Sequence, residues 1–244
     1  MNNSFKQVMG FNVFSDSLDK ITLNKKSIII NTISPNSYGI SRKDKFFREA
    51  LKNCDYLVLD GVYFGLSYFF KTAKTLHKNQ GPVLTNYFLR VANEKCLKVF
   101  FLGSSEETLI KIKENINIKF PKIIIESFSP VFKNQFATSD TEKMINCVNR
   151  FQPNILFVGM TCPKQEKWTY ENKKSLDANL ICNIGAVFDW IAGNQKEIHP
   201  IWWKLRLGWL KRTIDRPEIL KRYPNILSYF LDMVLDLLRI KKAK

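Results

Sequence analysis

Contiguous apolar runs alternate along the chain with longer segments in which apolar residues recur at helical spacing. The contiguous runs predict buried strands, because a strand covered on both faces has few polar positions. We predict strands at residues 27–34, 56–59, 98–102, 123–128, 155–159 and 180–185. We predict helices at residues 41–53, 84–93, 141–151 and 163–172. The alternation is typical of an α/β protein with a Rossmann-like, mostly parallel sheet and helices on both faces.

Serine residues mark the starts of two predicted helices. Ser41 is the expected N-cap of the helix at 41–53, and Ser104 or Ser105 caps a helix that follows Gly103. In parallel sheets, ligands bind beyond the carboxyl ends of the strands, where loops lead into helices. Functional residues are therefore expected at these strand ends.

The pattern changes near residue 198, and we predict an α/β domain over residues 1–197 and a basic helical appendage over 198–244. In the appendage, Trp202, Trp203 and Trp209 stand among basic residues that outnumber acidic ones by about seven. Tryptophan favours bilayer interfaces and basic side chains attract anionic headgroups, which predicts association with an anionic membrane surface. The alternative is a basic amphipathic hairpin packed on the main domain.

The whole chain is strongly basic, with 38 Lys and Arg against 22 Asp and Glu and a net charge of +16. This surplus predicts a polyanionic partner: nucleic acid, an anionic membrane or a phosphorylated small molecule. No apolar run reaches the roughly 18 residues of a membrane span, and the first residues lack a signal-peptide pattern. The five cysteines form no CxxC pair. We therefore expect a cytoplasmic protein with reduced cysteines.

Asp60 is the first candidate for chemistry. It follows an apolar strand and precedes Gly61, so its carboxylate is expected to be partly desolvated, which suits a general base. The alternative is an Asp that caps a helix starting at Val62. Thr32 ends the preceding strand, and its hydroxyl is expected to reach the same cleft.

Two further segments follow predicted strands. In CPKQEKW (162–168), Pro163 fits the first helical position, and Lys164 and Gln165 in the first turn can bind phosphate and donate hydrogen bonds. A surface helix start explains these residues equally well. In GAVFDWIAG (185–193), small residues allow a ligand close to the backbone, although close helix–sheet packing also requires them.

Several common site motifs are absent from the sequence. It has neither GxxxxGK[ST] nor GxGxxG, which argues against the usual phosphate cradles of NTPases and dinucleotide oxidoreductases. It has no Asp-x-Asp pair for a divalent metal and no GxSxG nucleophile turn.

The segments together resemble the WecG/TagA/CpsF group of bacterial glycosyltransferases, glycosyltransferase family 26, from about Met9 to Tyr223. The resemblance lies in the order of several segments, of which PKQEKW, GAxFDxxAG and a W-L-x-R-x-x-x-x-P tail are the most specific. The other matching segments are VMGFNVFSDSLDK, TISPN, LDGVYFG and FFLGSSEET.

The resemblance implies transfer of a sugar, often of the N-acetylmannosamine type, from a UDP donor. The implied acceptor is a polyprenyl-diphosphate-linked sugar at the cytoplasmic face of the membrane, where the protein would be peripheral. The reaction would invert the anomeric carbon without a catalytic metal, and no cofactor is expected.

The resemblance also assigns residues. The family's base corresponds to Asp60, its partner threonine to Thr32 and a pocket glutamine to Gln165. The expected substrate-binding residues are Ser34, Lys78, Gly103, Lys164, Gln165, Gly185 and Asp189. The expected membrane- or phosphate-binding arginines are Arg206, Arg212, Arg216 and Arg222. Four positions depart from the family pattern: Ser34 replaces asparagine, Tyr63 glycine, Lys78 arginine and Val83 an acidic residue.

Two other functions fit parts of the sequence. A basic nucleic-acid-binding protein fits the charge, but no helix-turn-helix, zinc-finger or RRM signature is present, and we expect no nucleic-acid partner. An inactive relative acting as an assembly partner fits the four departures. Apolar residues at 64–70 and in the tail are compatible with a homo-oligomer.

Overall fold

The protein is built on one eight-stranded sheet in a computed structural model, which describes residues 4–22, 27–61, 63–194, 200–204, 208–215 and 217–242. The strands are β1 (Phe5–Val8), β2 (Phe11–Phe14), β3 (Ile28–Ile33), β4 (Tyr56–Leu59), β5 (Lys98–Gly103), β6 (Ile124–Phe128), β7 (Ile155–Gly159) and β8 (Leu180–Asn183). Their order is β1-β2-β4-β3-β8-β7-β5-β6. β1 and β2 pair antiparallel, and the other pairs in the described chain are parallel.

All six strands predicted from contiguous apolar runs are present, with ends that differ by at most two residues. The hairpin of β1 and β2 was not predicted. It turns at Met9 and Gly10, whose φ angles of 50° and 80° suit a two-residue hairpin turn. The hairpin extends the parallel sheet beyond β4, where Phe14 of β2 pairs with Val58 of β4.

Eleven helices are present in the described residues. They are α1 (Pro35–Lys43), α2 (Lys45–Lys52), α3 (Leu66–Thr72), α4 (Gly81–Glu94), α5 (Glu106–Lys119), α6 (Thr138–Phe151), α7 (Lys164–Asn172), α8 (Val187–Ile191), α9 (Pro200–Lys204), α10 (Gly208–Asp215) and α11 (Tyr223–Lys242). A 3-10 turn, Pro217–Arg222, leads directly into α11.

Helices α1 and α2 replace the single helix predicted over 41–53. Ser41 lies inside α1, where its hydroxyl donates to the Tyr38 carbonyl at 2.7 Å, so its prediction as an N-cap is wrong. The N-cap of α2 is Asp44, whose carboxylate accepts from the Phe47 N–H at 2.9 Å. Ser105 caps α5, and it is one of the two serines, Ser104 and Ser105, that were predicted as its cap.

Alternate residues of the central strands pack on opposite faces of the sheet. In β7, Ile155 and Phe157 belong to the core beneath α4, α5 and α8. Leu156 and Val158 belong to the core beneath α6 and α7. The sheet is therefore covered on both faces, which confirms the predicted α/β fold class.

The last helix, α11, packs against α1 and completes a third core cluster. Tyr229 is fully buried, and its hydroxyl donates to the Phe64 carbonyl at 2.9 Å. The opposite face of α11 carries an exposed stripe of apolar side chains, called here the leucine stripe: Leu227, Leu231, Val234, Leu235 and Leu238. Across the described residues, no helix combines the length and apolar composition needed to span a bilayer. The predicted boundary at 197/198 falls outside the described residues.

Candidate active site

A cavity of about 1560 Å³ lies along the edge of the sheet where the parallel strands end. Segments that directly follow β3, β4, β5, β6, β7 and β8 form its wall, together with the start of α4 and the 3-10 turn before α11. Of the predicted site residues, those that line the cavity are Thr32, Ser34, Asp60, Lys164, Gln165, Gly185, Asp189 and Arg222.

The sheet has a crossover reversal beside this cavity. β5 leads through α5 to β6 on one side, whereas the neighbouring β7 leads through α7 to β8 on the other, and such a reversal leaves a crevice between the strand ends. Gly103 ends β5 with a φ of 122°, and an added Cβ would lie 2.5 Å from the Gly159 carbonyl oxygen. Gly103 thus permits close approach of two strand ends, while Ser104 and Ser105, rather than Gly103, are among the described lining residues.

Asp60 and Thr32 come from two adjacent strands. β3 and β4 are parallel with Thr32 opposite Val58, and the Asp60 N–H donates to the Ile33 carbonyl at 2.9 Å. Asp60 is solvent-exposed, so the partial desolvation expected from the sequence is not found. The next described helix is α3, with Gly65 as its N-cap, so Asp60 does not cap it; Val62 lies outside the described residues.

Ser34 is the N-cap of α1. Its hydroxyl accepts from the Ser37 N–H at 3.3 Å, and the Ser37 hydroxyl accepts from the Ser34 N–H at 2.8 Å. This reciprocal pair fixes the start of α1 at the cavity wall, where Asn36 also lies. The position of Ser34 is therefore set by the helix it caps.

Lys164 joins the start of α7 to the segment after β6. Its ammonium group donates to the Lys133 carbonyl and lies 3.5 Å from the centroid of the Phe136 ring. Burial lowers the pKa of Lys164. The joined segment also carries Phe132, which is 96% exposed on the cavity wall, and this aromatic residue was not a sequence-based candidate.

Gln165 is held by two hydrogen bonds inside the wall. It is 3% exposed; its Oε1 accepts from the Met160 N–H at 3.2 Å, and its Nε2 donates to Glu166 Oε1 at 2.8 Å. Gly185, with a φ of 52°, faces this amide, because an added Cβ would lie 3.6 Å from both amide atoms. The amide of Gln165 therefore has a fixed orientation at the cavity.

Glu166 is a site residue that the sequence did not indicate. The residue is 2% exposed, whereas a surface helix start explained this segment of the sequence as well as a binding site did. Burial raises the pKa of Glu166 to about 7. Oε2 of Glu166 is buried without a hydrogen bond of regular geometry among the described residues, and the Cys162 thiol is a polar neighbour of the carboxyl group.

The remaining predicted residues are distributed differently. Lys78 is exposed and is not among the described residues of the cavity wall. Asp189 lies on α8, where its carbonyl accepts from the Asn194 N–H at 2.9 Å. Arg222 reaches the wall from the 3-10 turn before α11. Arg206 and Arg216 lie outside the described residues, as does the side chain of Arg212 in α10.

Charged side chains of both signs line the cavity. They are Asp60, Glu106, Lys133, Lys164, Glu166, Asp189, Glu218, Lys221 and Arg222. Within the described part of the chain, no three His, Cys, Asp or Glu side chains are grouped to hold a metal ion. Helices α1, α4, α5 and α7 begin at the wall, as does the short α8, and the first N–H groups of a helix favour anions.

The amino-acid sequence is similar to those of known sugar-transferring enzymes. Residues 6–243 match the model of the Glycosyl transferase WecG/TagA/CpsF family. Relatives from Staphylococcus aureus strains NCTC 8325 / PS 47, COL and MRSA252 are each 23% identical over 218 residues, which is 89% of this chain and 84% of the relative. Each of the three is named N-acetylglucosaminyldiphosphoundecaprenol N-acetyl-beta-D-mannosaminyltransferase.

Proposed function

Because the chain belongs to the WecG/TagA/CpsF family of glycosyl transferases, we propose that it moves an N-acetylmannosamine-type sugar from a UDP donor to a polyprenyl-diphosphate-linked sugar. One observation carries this proposal. Asp60, Thr32 and the buried Gln165 come from three separate segments of the chain and line one cavity large enough for a nucleotide sugar.

The cavity offers several groups to an anionic donor. The N-termini of α1, α4, α5 and α7 present backbone N–H groups and positive dipole ends. Lys221 and Arg222 add positive charge from the 3-10 turn before α11. The Lys164 ammonium group contacts Phe136 and the Lys133 carbonyl, so we assign it to fixing the wall as well as to phosphate binding. These groups support stabilisation of the departing diphosphate.

Asp60 acts as the general base in the proposed reaction. Its carboxylate accepts the proton of an acceptor hydroxyl as that oxygen forms a bond to the anomeric carbon of the donor. The bond between the anomeric carbon and the UDP oxygen breaks, and its electron pair leaves with the diphosphate. A single displacement from the opposite face inverts the anomeric carbon. The Thr32 hydroxyl, on the neighbouring strand, orients the acceptor hydroxyl towards Asp60.

The membrane role is assigned to the C-terminal part. We propose that residues 198–244 form the membrane-associating portion and that the protein is peripheral on the cytoplasmic face, where a polyprenyl-linked acceptor is accessible. The exposed leucine stripe of α11 supports this role, since exposed apolar patches mark interaction surfaces. A second copy of the chain is the alternative occupant of the stripe.

The function is tested by offering the purified protein a panel of UDP-sugars with polyprenyl-diphosphate N-acetylglucosamine. We expect release of UDP only with the correct donor, and NMR of the product should show the opposite anomeric configuration to that of the donor. Retention of configuration would contradict the single displacement. Turnover with a donor that carries another nucleotide, and none with UDP-sugars, would contradict the assigned donor.

A further inference from the structure

Helix α3 exposes two consecutive aromatic side chains, called here the aromatic pair. Phe69 is 42% exposed and Phe70 is 59% exposed, and their ring centroids lie 5.8 Å apart. The helix itself is held in place, because Leu66 and Tyr68 pack against the core cluster that contains Tyr229. Adjacent large apolar side chains on an anchored helix indicate an interaction surface.

The aromatic pair lies beside the leucine stripe of α11. Lys71, which directly follows Phe70, forms an ion pair with Asp236, which directly follows Leu235 of the stripe. Lys71, Leu235 and Asp236 also line one surface groove of about 430 Å³. The aromatic pair and the leucine stripe are therefore neighbouring parts of one exposed apolar surface.

The chain around the aromatic pair is basic. Residues 61–93 include no Asp or Glu, whereas they include Lys71, Lys74, Lys78 and Arg90. Lys74 and Lys78 are exposed. Apolar side chains with basic neighbours suit the boundary between hydrocarbon and anionic headgroups. A symmetric contact with a second copy would instead bring the same positive charges together, and lysine is depleted at protein interfaces.

Both parts of this surface are connected to the wall of the large cavity. Residues 73–79 join α3 to Gln80, Gly81 and Pro82, which line the cavity. The 3-10 turn that leads into α11 brings Arg222 to the same wall. Contact of this surface with a membrane would therefore bring the cavity close to a lipid-linked acceptor.

We propose that the aromatic pair of α3 inserts into the membrane interface, so that α3 and the leucine stripe together bind an anionic lipid surface. This inference rests on the proposed function, because it adds a second contact element to the membrane role assigned to residues 198–244. The two rings enter the boundary between headgroups and acyl chains, and Lys74 contacts anionic headgroups. Contact through two separate elements fixes the tilt of the protein on the membrane.

Co-sedimentation of the full-length protein with phosphatidylglycerol vesicles tests the proposal. The variant combines Phe69→Glu with Phe70→Glu. The matched control combines Ile118→Glu with Ile124→Glu, at two exposed apolar positions near the edge of the sheet where β6 begins, opposite the cavity. We expect the aromatic variant to bind about tenfold more weakly, because apolar burial is lost and the new charges repel anionic lipid. The control should bind like the unmodified protein.

A fluorescent label measures insertion without any added charge. Phe70→Cys is combined with Cys96→Ser, which removes an exposed native thiol, and carries a polarity-sensitive fluorophore. We expect its emission to shift to the blue when phosphatidylglycerol vesicles are added, because the fluorophore moves from water towards hydrocarbon. The same fluorophore on Ile118→Cys should show no shift. This measurement decides the question even where the double glutamate variant does not fold.

Unchanged sedimentation of the aromatic variant would overturn the inference, as would a label on Phe70→Cys that stays in water. Either result, with loss of binding when the leucine stripe is substituted, would leave the membrane role to α11 alone. A smaller mass of the aromatic variant in analytical ultracentrifugation, with normal vesicle binding, would assign the aromatic pair to a second copy of the chain. Absence of vesicle binding by the unmodified protein would contradict the proposed membrane role and this inference together.

Discussion

The backbone of Asp60 extends the pairing of two parallel strands. Its N–H donates to the Ile33 carbonyl at 2.9 Å, which continues the ladder between β3 and β4 by one residue. The residue is exposed at the cavity, and asparagine keeps the size of the side chain while it removes the charge. Asp60→Asn is therefore the substitution that tests the chemistry of this carboxylate.

We expect Asp60→Asn to lower turnover by about 10²–10⁴-fold, the usual contribution of a general base, with an unchanged unfolding temperature. The measurement is UDP release with a lipid-linked acceptor at saturating donor. Asp19→Asn, at an exposed position that is not among the described residues of the cavity wall, is the matched control and should retain full turnover. Full activity in Asp60→Asn would mean that another group takes the proton.

Glu166 is a single residue that makes the folding stability of the protein depend on pH. Its pKa rises from an ordinary value of 4.5 to about 7 on folding, because burial disfavours the charged form. The folded state therefore binds more protons than the unfolded state between these values. The stability contributed by the neutral acid is fully present below about pH 4.5 and is lost as pH rises to about 7.

Replacement of Glu166 by Gln removes this loss, because an amide is neutral at every pH. We expect the free energy of unfolding of Glu166→Gln, relative to the unmodified protein, to rise across this window by up to about 3 kcal/mol and then to level off. Urea unfolding at several pH values measures it. A relative stability that stays constant from pH 5 to pH 8 would place the Glu166 carboxylate in a hydrated environment.

At the scale of elements, Asp44 separates α1 from α2. Its carboxylate accepts from the Phe47 N–H at 2.9 Å and from the Lys167 ammonium group of α7 at 2.9 Å. Burial raises the pKa of Asp44, but these hydrogen bonds outweigh it and hold the pKa below its ordinary value. Asp44 thus connects the start of α2 to α7, the helix that begins at the cavity.

Asp44→Ala should destabilise the protein by about 1.5 kcal/mol, because α2 loses its cap and Lys167 loses its ion-pair partner. Asp44→Asn keeps a capping oxygen and removes the charge, so it should cost only the ion pair with Lys167, about 0.5 kcal/mol. Thermal or urea unfolding distinguishes the two. Equal losses in both variants would show that the charge, and not the cap, stabilises this junction.

The strands were predictable because each central strand is buried on both faces and so carries a contiguous apolar run. The β1–β2 hairpin was not, because its residues 5–14 mix polar and apolar positions and lie at the sheet edge. The break between α1 and α2 also escaped prediction. Phe46, Phe47, Ala50 and Leu51 give one continuous helical stripe, and only the cap at Asp44 divides it from the preceding turn.

A site residue could be predicted where its type and its place in the sequence indicate where it lies in the fold. Asp60 directly follows an apolar strand, so its place at the carboxyl edge could be inferred. Glu166 could not, because a glutamate in the first turn of a helix is usually solvated. Its burial follows from tertiary packing, since α7 lies against α2, β3 and β8 and the Cys162 thiol is near its carboxyl group.

At the scale of the whole molecule, α11 has two contrasting faces. Tyr229 and Met233 are buried in the core with residues of β2, α2 and β4, while the leucine stripe faces solvent. Truncation after residue 197 would therefore remove core side chains together with the proposed membrane surface. Substitutions confined to the leucine stripe test the membrane role without that damage.

We expect the combined variant Leu227→Glu, Leu231→Glu and Leu238→Glu to co-sediment less with phosphatidylglycerol vesicles, by about tenfold, since apolar burial and attraction to anionic lipid are both reduced. Ile118→Glu, at a 78% exposed position on α5, is the matched control and should sediment normally. Unchanged sedimentation of the triple variant, combined with a smaller mass in analytical ultracentrifugation, would assign the stripe to a second copy of the chain.

The ring of Tyr229 meets those of Phe64 and Tyr38 at centroid distances of 5.2 Å and 5.4 Å, and Phe11 contacts both of these partners from the hairpin. Residues near the beginning and near the end of the polypeptide thus share one aromatic cluster. During synthesis on the ribosome, this cluster cannot form until almost the entire chain has been made. Phe11, Tyr38 and Phe64 are therefore synthesised well before Tyr229 can pack against them. Chaperone dependence during synthesis should accordingly be greatest just before Tyr229 emerges from the exit tunnel.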